Sequence, residues 1–410
     1  MQAASPPRVY WLTEEFFPPE VGGTGVVAGS LSRGIAERGI PTVVITRQTE
    51  PPSAKVEQIE RVRVRRISPG GRMKGAGWKA LPVMIGFLLR LTTLLVIEAR
   101  RYDLVVISGM KIIPLAAVPV CRLFGKAIII RLESPFELVE PISAEALGTM
   151  GLAGRLLPRV LRWFQRNALR GADQVVAISQ EMESRVLEAG VPQERVRRIP
   201  NGIDMRKYSP VSAQERTTLR SQLGIPQECT IVLFVGRLSR AKGVVLLIEA
   251  WPEIARRHPE LRLLLVGSGE GSWDDCEEHV REFVRSHGMQ ETVIFAGRSD
   301  RAVQYMQAAD MFLFPSEYEG FGLSVAEALS SALPSVLSTV GAAPELIEHG
   351  LSGFLFPPKN APAMIEAVEE CLAQRARWSE IGLAGREAMR PYDLDRILDA
   401  YAELCRQAAR

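Results

Sequence analysis

Two pairs of charged residues carry the chemistry open to this chain. Arg237 and Lys242 lie in GRLSRAKG (236–243), a glycine-bounded loop directly behind the apolar run TIVLFVG (230–236). Two cations beside the start of a helix make a site for a diphosphate, and for the negative charge that grows as a diphosphate leaves. Glu319 and Glu327 lie in PSEYEGFGLSVAEALSSALPSV (315–336), one in a glycine-rich loop and one in an alanine-rich helix. A carboxylate accepts two hydrogen bonds from a vicinal diol, so ribose or sugar hydroxyls suit both. A glycosidase acid and base pair is the competing reading. It needs carboxyls about 5–9 Å apart, whereas eight residues of helix rise about 12 Å. A third loop, FPPEVGGTGVV (17–27), sets Gly22, Gly23 and Gly25 before a helix. Backbone N–H groups there can approach an anion, although the spacing is not that of a dinucleotide fingerprint.

These loops need a scaffold, and the apolar runs supply it. Strands are expected at 8–12, 41–46, 62–67, 103–108, 126–132 and 174–179, then at 230–236, 261–267, 292–297, 311–316 and 334–339. The runs are continuously apolar, as in strands covered on both faces. Helical stretches such as 26–38, 243–257 and 324–332 fall between them, which predicts parallel, doubly wound α/β sheets. The reactive loops then lie beyond the carboxyl ends of strands, where such sheets bind ligands. A chain of 410 residues suits two such domains. The turn-rich segment IPNGIDMRKYSP (199–210) divides them, giving domains at 1–200 and 201–390 and a terminal amphipathic helix at 391–410.

Five cysteines at 121, 229, 276, 371 and 405, with no C-x-x-C pair, argue against a disulfide framework and a zinc site. The amino-terminal residues lack the pattern of a signal peptide, so a cytoplasmic protein is expected. The stretch ALPVMIGFLLRLTTLLVIEA (80–99) is long enough to span a bilayer, but Pro82, Arg90 and Glu98 interrupt it. A central charge costs several kcal/mol in lipid, which argues against a span; a mostly buried helix on a sheet is expected, with a helix lying on a membrane surface as the alternative. Residues 1–200 hold 28 basic against 18 acidic side chains, and 201–410 hold 22 against 29. The basic half points to an acidic acceptor or an anionic membrane, with a merely solvated surface as the equal alternative. Scattered arginines without interleaved aromatics argue against nucleic acid. Asp393 and Asp395 form a D-x-D that reads as a helix cap, not a metal site. VGSGEGS (266–272) has the wrong spacing for NAD.

The run 309–356, with GRLSRAKG, NGID (201–204), VAISQ (176–180) and the GGTG loop, resembles the retaining glycosyltransferases of the GT-B fold, family 4. The resemblance implies two Rossmann-like domains facing across a cleft. It implies transfer of a sugar from a nucleotide-diphosphate sugar to a hydroxyl acceptor, a glycan or lipid-linked glycan, with no metal or other cofactor. Arg237 and Lys242 would hold the diphosphate, Glu327 the ribose and Glu319 the transferred sugar. The backbones of Phe321, Gly322 and Leu323, with Gly236 and Gly320 beside them, would meet phosphate or sugar. Gly297 and Arg298 would flank the base, VGSGEGS would line the nucleotide cleft, and Gly22 and Gly23 would close over the diphosphate. The final helix would cross back onto the first domain.

One departure stands out. The family places a histidine after the fifth strand of the first domain, yet all four histidines (258, 279, 287, 349) fall in the second half. The matching loop, RLESPFE (131–137), offers Glu133 and Ser134 instead. Glu133 is either a polar sugar contact or a buried partner of Arg131. A non-catalytic nucleotide-sugar-binding or partner subunit, and an epimerase or phosphorylase on the same fold, are the alternatives.

Overall fold

Continuous runs of Val, Ile, Leu and Phe are stable as strands only when both faces are covered. A computed structural model of the chain describes residues 5–16, 23–48, 54–68, 81–110, 112–134, 159, 163–270, 272 and 274–409. Its contacts divide into two units, Met1–Asn201 with Asp395–Arg410, and Gly202–Leu394.

The first unit holds β1 (Val9–Thr13), β2 (Thr42–Arg47), β3 (Val56–Ile59), β4 (Val62–Ile67), β5 (Leu104–Ser108), β6 (Ala127–Arg131), β7 (Gln174–Ala177) and β8 (Val196–Arg198). They form one sheet in the order β3-β4-β2-β1-β5-β6-β7-β8. Only β3 is antiparallel to its neighbour. β1 and β5 are buried along their whole length. The edge strands β3 and β8 have no counterpart in the sequence reading: one alternates VEQI, the other reads VRR, and neither is apolar throughout.

Helix α1 (Gly23–Glu37) follows β1, and α2 (Leu81–Ile97) precedes β5. The latter differs from the mostly buried helix expected at 80–99. Phe87, Leu91 and Leu95 are enclosed, while Ile85, Leu89, Val96 and Ile97 are exposed, Leu89 by 63% and Ile97 by 76%. The helix is apolar on more than one face, and the surrounding elements cover only part of it. No helix among the described residues is long and apolar enough to cross a membrane.

The second unit holds β9 (Thr230–Val235), β10 (Leu261–Val266), β11 (Val293–Gly297), β12 (Met311–Phe314), β13 (Ser335–Ser338) and β14 (Phe354–Phe356). The order is β11-β10-β9-β12-β13-β14, with every pairing parallel. Strand order therefore reverses between β9 and β12, the switch point at which such sheets leave a crevice beyond the strand ends. Phe234 of β9 stacks on Phe314 of β12 with ring centroids 5.5 Å apart, and Phe314 on Phe312 at 5.7 Å. Each buried aromatic contributes about 1.5–3 kcal/mol, which anchors the two strand ends on either side of the crevice. Helices α3 (Val244–Arg257), α4 (Leu323–Ser330) and α5 (Trp378–Ala388) belong to this unit.

The last helix, α6 (Leu394–Ala408), packs in the first unit. Ile397, Leu398, Tyr401, Leu404 and Cys405 form its buried face. Leu398 lies so close to Gly34 of α1 that a Cβ there would stand 2.3 Å from it. Arg38 pairs with Asp399 at 2.6 Å and Asp395 at 3.2 Å, so the D-x-D carboxylate at 395 has a cation for a neighbour.

Candidate functional site

Behind β9 the chain runs through Gly236 and Arg237, then through a single 3-10 turn, Arg240–Lys242, into α3. Three contacts set this loop. Asp274 Oδ2 accepts from the Ala241 N–H at 2.9 Å, the Arg240 N–H donates to the Asp274 carbonyl at 3.1 Å, and the Glu317 N–H donates to the Ala241 carbonyl at 2.9 Å. Gly243 ends the turn at φ +70°, and a Cβ there would lie 1.8 Å from the Pro315 carbonyl oxygen. Only glycine fits both the left-handed backbone and that approach. Gly267 is held the same way, its would-be Cβ 1.8 Å from the Gly236 carbonyl oxygen. The Arg237 side chain is exposed.

Behind β12, residues 315–322 lead into α4. The buried Ser316 hydroxyl meets the Ala241 carbonyl at 3.1 Å and Glu319 Oε1 at 3.2 Å. Lys242 donates to the same Glu319 oxygen. Its ammonium also stands 5.7 Å from the Phe314 ring centroid. Thus Lys242 and Glu319, one from each strand end at the switch point, are directly paired. Gly322 takes φ +93° just before α4. The first N–H groups of a helix have no partner within it. Among the described residues no backbone carbonyl accepts from Phe321, Gly322 or Leu323. The Phe321 ring is buried against Tyr392, centroids 5.7 Å apart.

Glu327 lies one turn into α4. It accepts a 2.8 Å hydrogen bond from the Tyr208 hydroxyl. Burial pushes its carboxyl up to about 7, against the opposing pull of that hydroxyl and of the Lys207 charge. Although part of the residue is exposed, protein surrounds the carboxyl densely enough for desolvation to dominate.

The remaining candidates fall elsewhere. Gly297 ends β11 at φ +68° with open space where a Cβ would stand, and its carbonyl accepts from the Gly267 N–H at 2.8 Å; Arg298 beside it is exposed. Gly320 is half-buried in the Glu319 loop. In the VGSGEGS segment the Gly269 N–H donates to Glu277 at 2.8 Å. Gly23 starts α1 in the first unit, and Gly22 lies outside the described residues. Glu133 accepts from Arg131 at 2.8 Å, both side chains under 10% exposed, so the buried ion pair is the arrangement present; Ser134 follows it, half-buried. Arg131 also donates to Tyr401 of α6 at 2.9 Å and to Asn201. Sequence reasoning did not reach Tyr208, Ser316 or Asp274. Each has a partner distant in sequence, Glu327 for Tyr208 and Ala241 for Ser316 and Asp274, and no local spacing marks that contact.

Residues 215–388 match the family described as Glycosyl transferases group 1, and residues 22–202 match a Glycosyl transferase 4-like domain. The alpha-maltose-1-phosphate synthase of Mycolicibacterium smegmatis is 32% identical over 56% of this chain and 61% of its own. The chain spans 49–61% of the length of the first curated relatives it matches. Among solved structures, sucrose-phosphate synthase from Thermosynechococcus elongatus superposes with a TM-score of 0.80 at 24% identity, covering 98% of both chains. Anabaena HepE in complex with UDP-glucose superposes with a TM-score of 0.74 at 22% identity, covering 97% of this chain and 99% of that one. At these identities the superpositions speak for a common fold.

Proposed function

This chain belongs to the glycosyl transferases group 1 family, and from that premise we propose that it is a retaining glycosyltransferase using a nucleotide-diphosphate sugar. The observation that carries the reading is the pairing of Lys242 with Glu319 at the β9/β12 switch point, beside the N-terminus of α4. We assign Lys242, Arg237 and the N–H groups of Phe321, Gly322 and Leu323 to the donor diphosphate. Glu327 takes the ribose diol and Glu319 the transferred sugar, with Gly297 and Arg298 beside the base. Support comes from the UDP-glucose complex of the structurally similar HepE.

In the proposed step the bond from the anomeric carbon to the diphosphate oxygen breaks. A bond from the acceptor oxygen to the same carbon forms on the same face. The acceptor proton passes to the departing diphosphate. Lys242, Arg237 and the helix N-terminus stabilise the charge that develops there, so the reading calls for no metal. We assign the donor to the second unit and the acceptor, a glycan or lipid-linked glycan, to the first. The basic composition of residues 1–200 and the exposed apolar side chains of α2 support peripheral association with an anionic membrane.

A thermal-shift panel of UDP, GDP, ADP and CMP without added metal tests the donor reading, because a ligand that binds the native state raises the midpoint. One nucleoside diphosphate is expected to stand out. No shift with any of them removes the nucleotide-sugar donor. The engagement of Glu133 with Arg131, at the position where the family keeps a histidine, favours a second reading: a binding subunit without turnover. Tight nucleotide binding with no release of product from any nucleotide sugar supports that one.

A further inference from the structure

We propose that Tyr208 is a positioning residue for the donor ribose, its hydroxyl holding the Glu327 carboxylate in the orientation that receives the diol. The proposal rests on the reading of Glu327 as the ribose contact. Tyr208 lies at the end of a short turn that opens the second unit. The Ile203 N–H donates to the Tyr392 carbonyl at 2.9 Å, and the Leu394 N–H returns to the Ile203 carbonyl at 2.9 Å. Asp204 Oδ1 accepts from the N–H groups of Arg206 and Lys207, both at 3.0 Å, and the Asp204 carbonyl accepts from the Tyr208 N–H at 2.9 Å. The turn is therefore closed on itself and clasped to the end of the unit.

Arg386 of α5 ties this turn to the helix that bears Glu327. It donates to the Met205 carbonyl at 2.9 Å, to the Tyr208 carbonyl at 2.7 Å and to the carbonyl of Ser330, the last residue of α4. One guanidinium thus fixes both the backbone under Tyr208 and the far end of α4. The Tyr208 ring is buried, 8% exposed, and its hydroxyl reaches Glu327 at 2.8 Å. A carboxylate so held keeps its remaining lone pairs directed at a ligand.

The hydroxyl also favours the ionised carboxylate, the form that can accept from both ribose hydroxyls. The Lys207 charge works in the same direction. Arg386, the cation α5 brings to this turn, is engaged by three backbone carbonyls, and Lys242 by Glu319. Removing the hydroxyl should therefore raise the carboxyl above about 7 and move the pH at which donor binding fails upward.

Titration calorimetry of UDP, GDP, ADP and their 2′-deoxy forms into wild type, Tyr208→Phe and Glu327→Gln, between about pH 6 and 8.5, tests this. Tyr208→Phe keeps the ring and its packing. It is expected to weaken the ribonucleotide that binds by about tenfold, the scale of a hydrogen bond to a charged group. It should leave the 2′-deoxy form within about twofold and shift the pH midpoint upward. Equal losses for ribo and deoxy forms, or no loss, overturn the role and leave Tyr208 as packing. Should Glu327→Gln abolish the preference for ribose while Tyr208→Phe does not, the reading of Glu327 stands and that of Tyr208 falls. Should Glu327→Gln bind both forms like wild type, or no diphosphate bind at all, the ribose reading itself falls and takes this proposal with it.

Discussion

The Lys242 ammonium and the Glu319 carboxylate form an ion pair that joins two loops 77 residues apart in sequence. The pair lies behind the two strands between which the sheet order reverses. Both side chains are less than 20% exposed, so the attraction is less screened than at an open surface. In the proposed function each group serves the other until a ligand with an anionic and a hydroxylic end serves both. A nucleotide-diphosphate sugar has both ends.

Glu327 makes stability depend on pH in a definite direction. Its carboxyl is raised from the ordinary 4.5 to about 7. Its favourable contribution is therefore complete below pH 4.5 and is lost as pH rises through 7. Glu327→Gln, which cannot ionise, is expected to be more stable than wild type at pH 8, by up to about 3 kcal/mol, and to show no such gain near pH 4.5. Urea unfolding at the two pH values measures it, and an equal difference at both contradicts the shift.

Gly243 tolerates no side chain. Its φ of +70° and the 1.8 Å approach to the Pro315 carbonyl oxygen leave a methyl group nowhere to go. Gly243→Ala should cost more than about 2 kcal/mol in denaturant unfolding, and it should disturb Lys242 next door. A loss below about 0.5 kcal/mol would show that the loop has another arrangement.

Arg131 holds together Glu133, Tyr401 and Asn201 inside the first unit. Arg131→Met leaves a buried carboxylate without its cation, a change that costs about 3–5 kcal/mol. The double variant Arg131→Met/Glu133→Leu removes that charge as well and should recover much of the loss. Thermal melts of both variants decide it; a double variant no more stable than the single one would place the loss in Tyr401 and Asn201 instead.

The exposed Ile85, Leu89, Val96 and Ile97 on α2 lead to a membrane prediction. Sedimentation at low salt with vesicles containing anionic lipid should retain the chain, and Leu89→Glu should release most of it. Recovery of wild type in the supernatant would remove membrane association from the proposal.

The central strands were legible because their physics is local: TIVLFV and LRLLLV are covered on both faces, and each announces that by lacking alternation. The strands that escaped are short or polar ones at the sheet edges, VEQI, VRR and FLF, whose pairing is decided by a neighbour and not by their own pattern. The loop residues Lys242 and Glu319 could be singled out from flanking glycines and an upstream apolar run, but not their direct pairing. Tyr208 left no such mark, since its partner Glu327 lies 119 residues away. The length and hydropathy of 80–99 spoke for a helix, and α2 is one; how much of it neighbours would cover depends on contacts that a single stretch of sequence does not encode.

Release of nucleoside diphosphate from sugar conjugates of the diphosphate that the thermal-shift panel picks out bears most directly on the donor site. Lys242→Ala, which leaves the largely covered Glu319 carboxylate without its cation, is expected to melt below wild type but to stay folded at the assay temperature. Its turnover should fall by about tenfold to a hundredfold, the scale of a lost charge-stabilising donor. A folded Lys242→Ala that turns over like wild type contradicts the assignment of the diphosphate to the β9/β12 switch point.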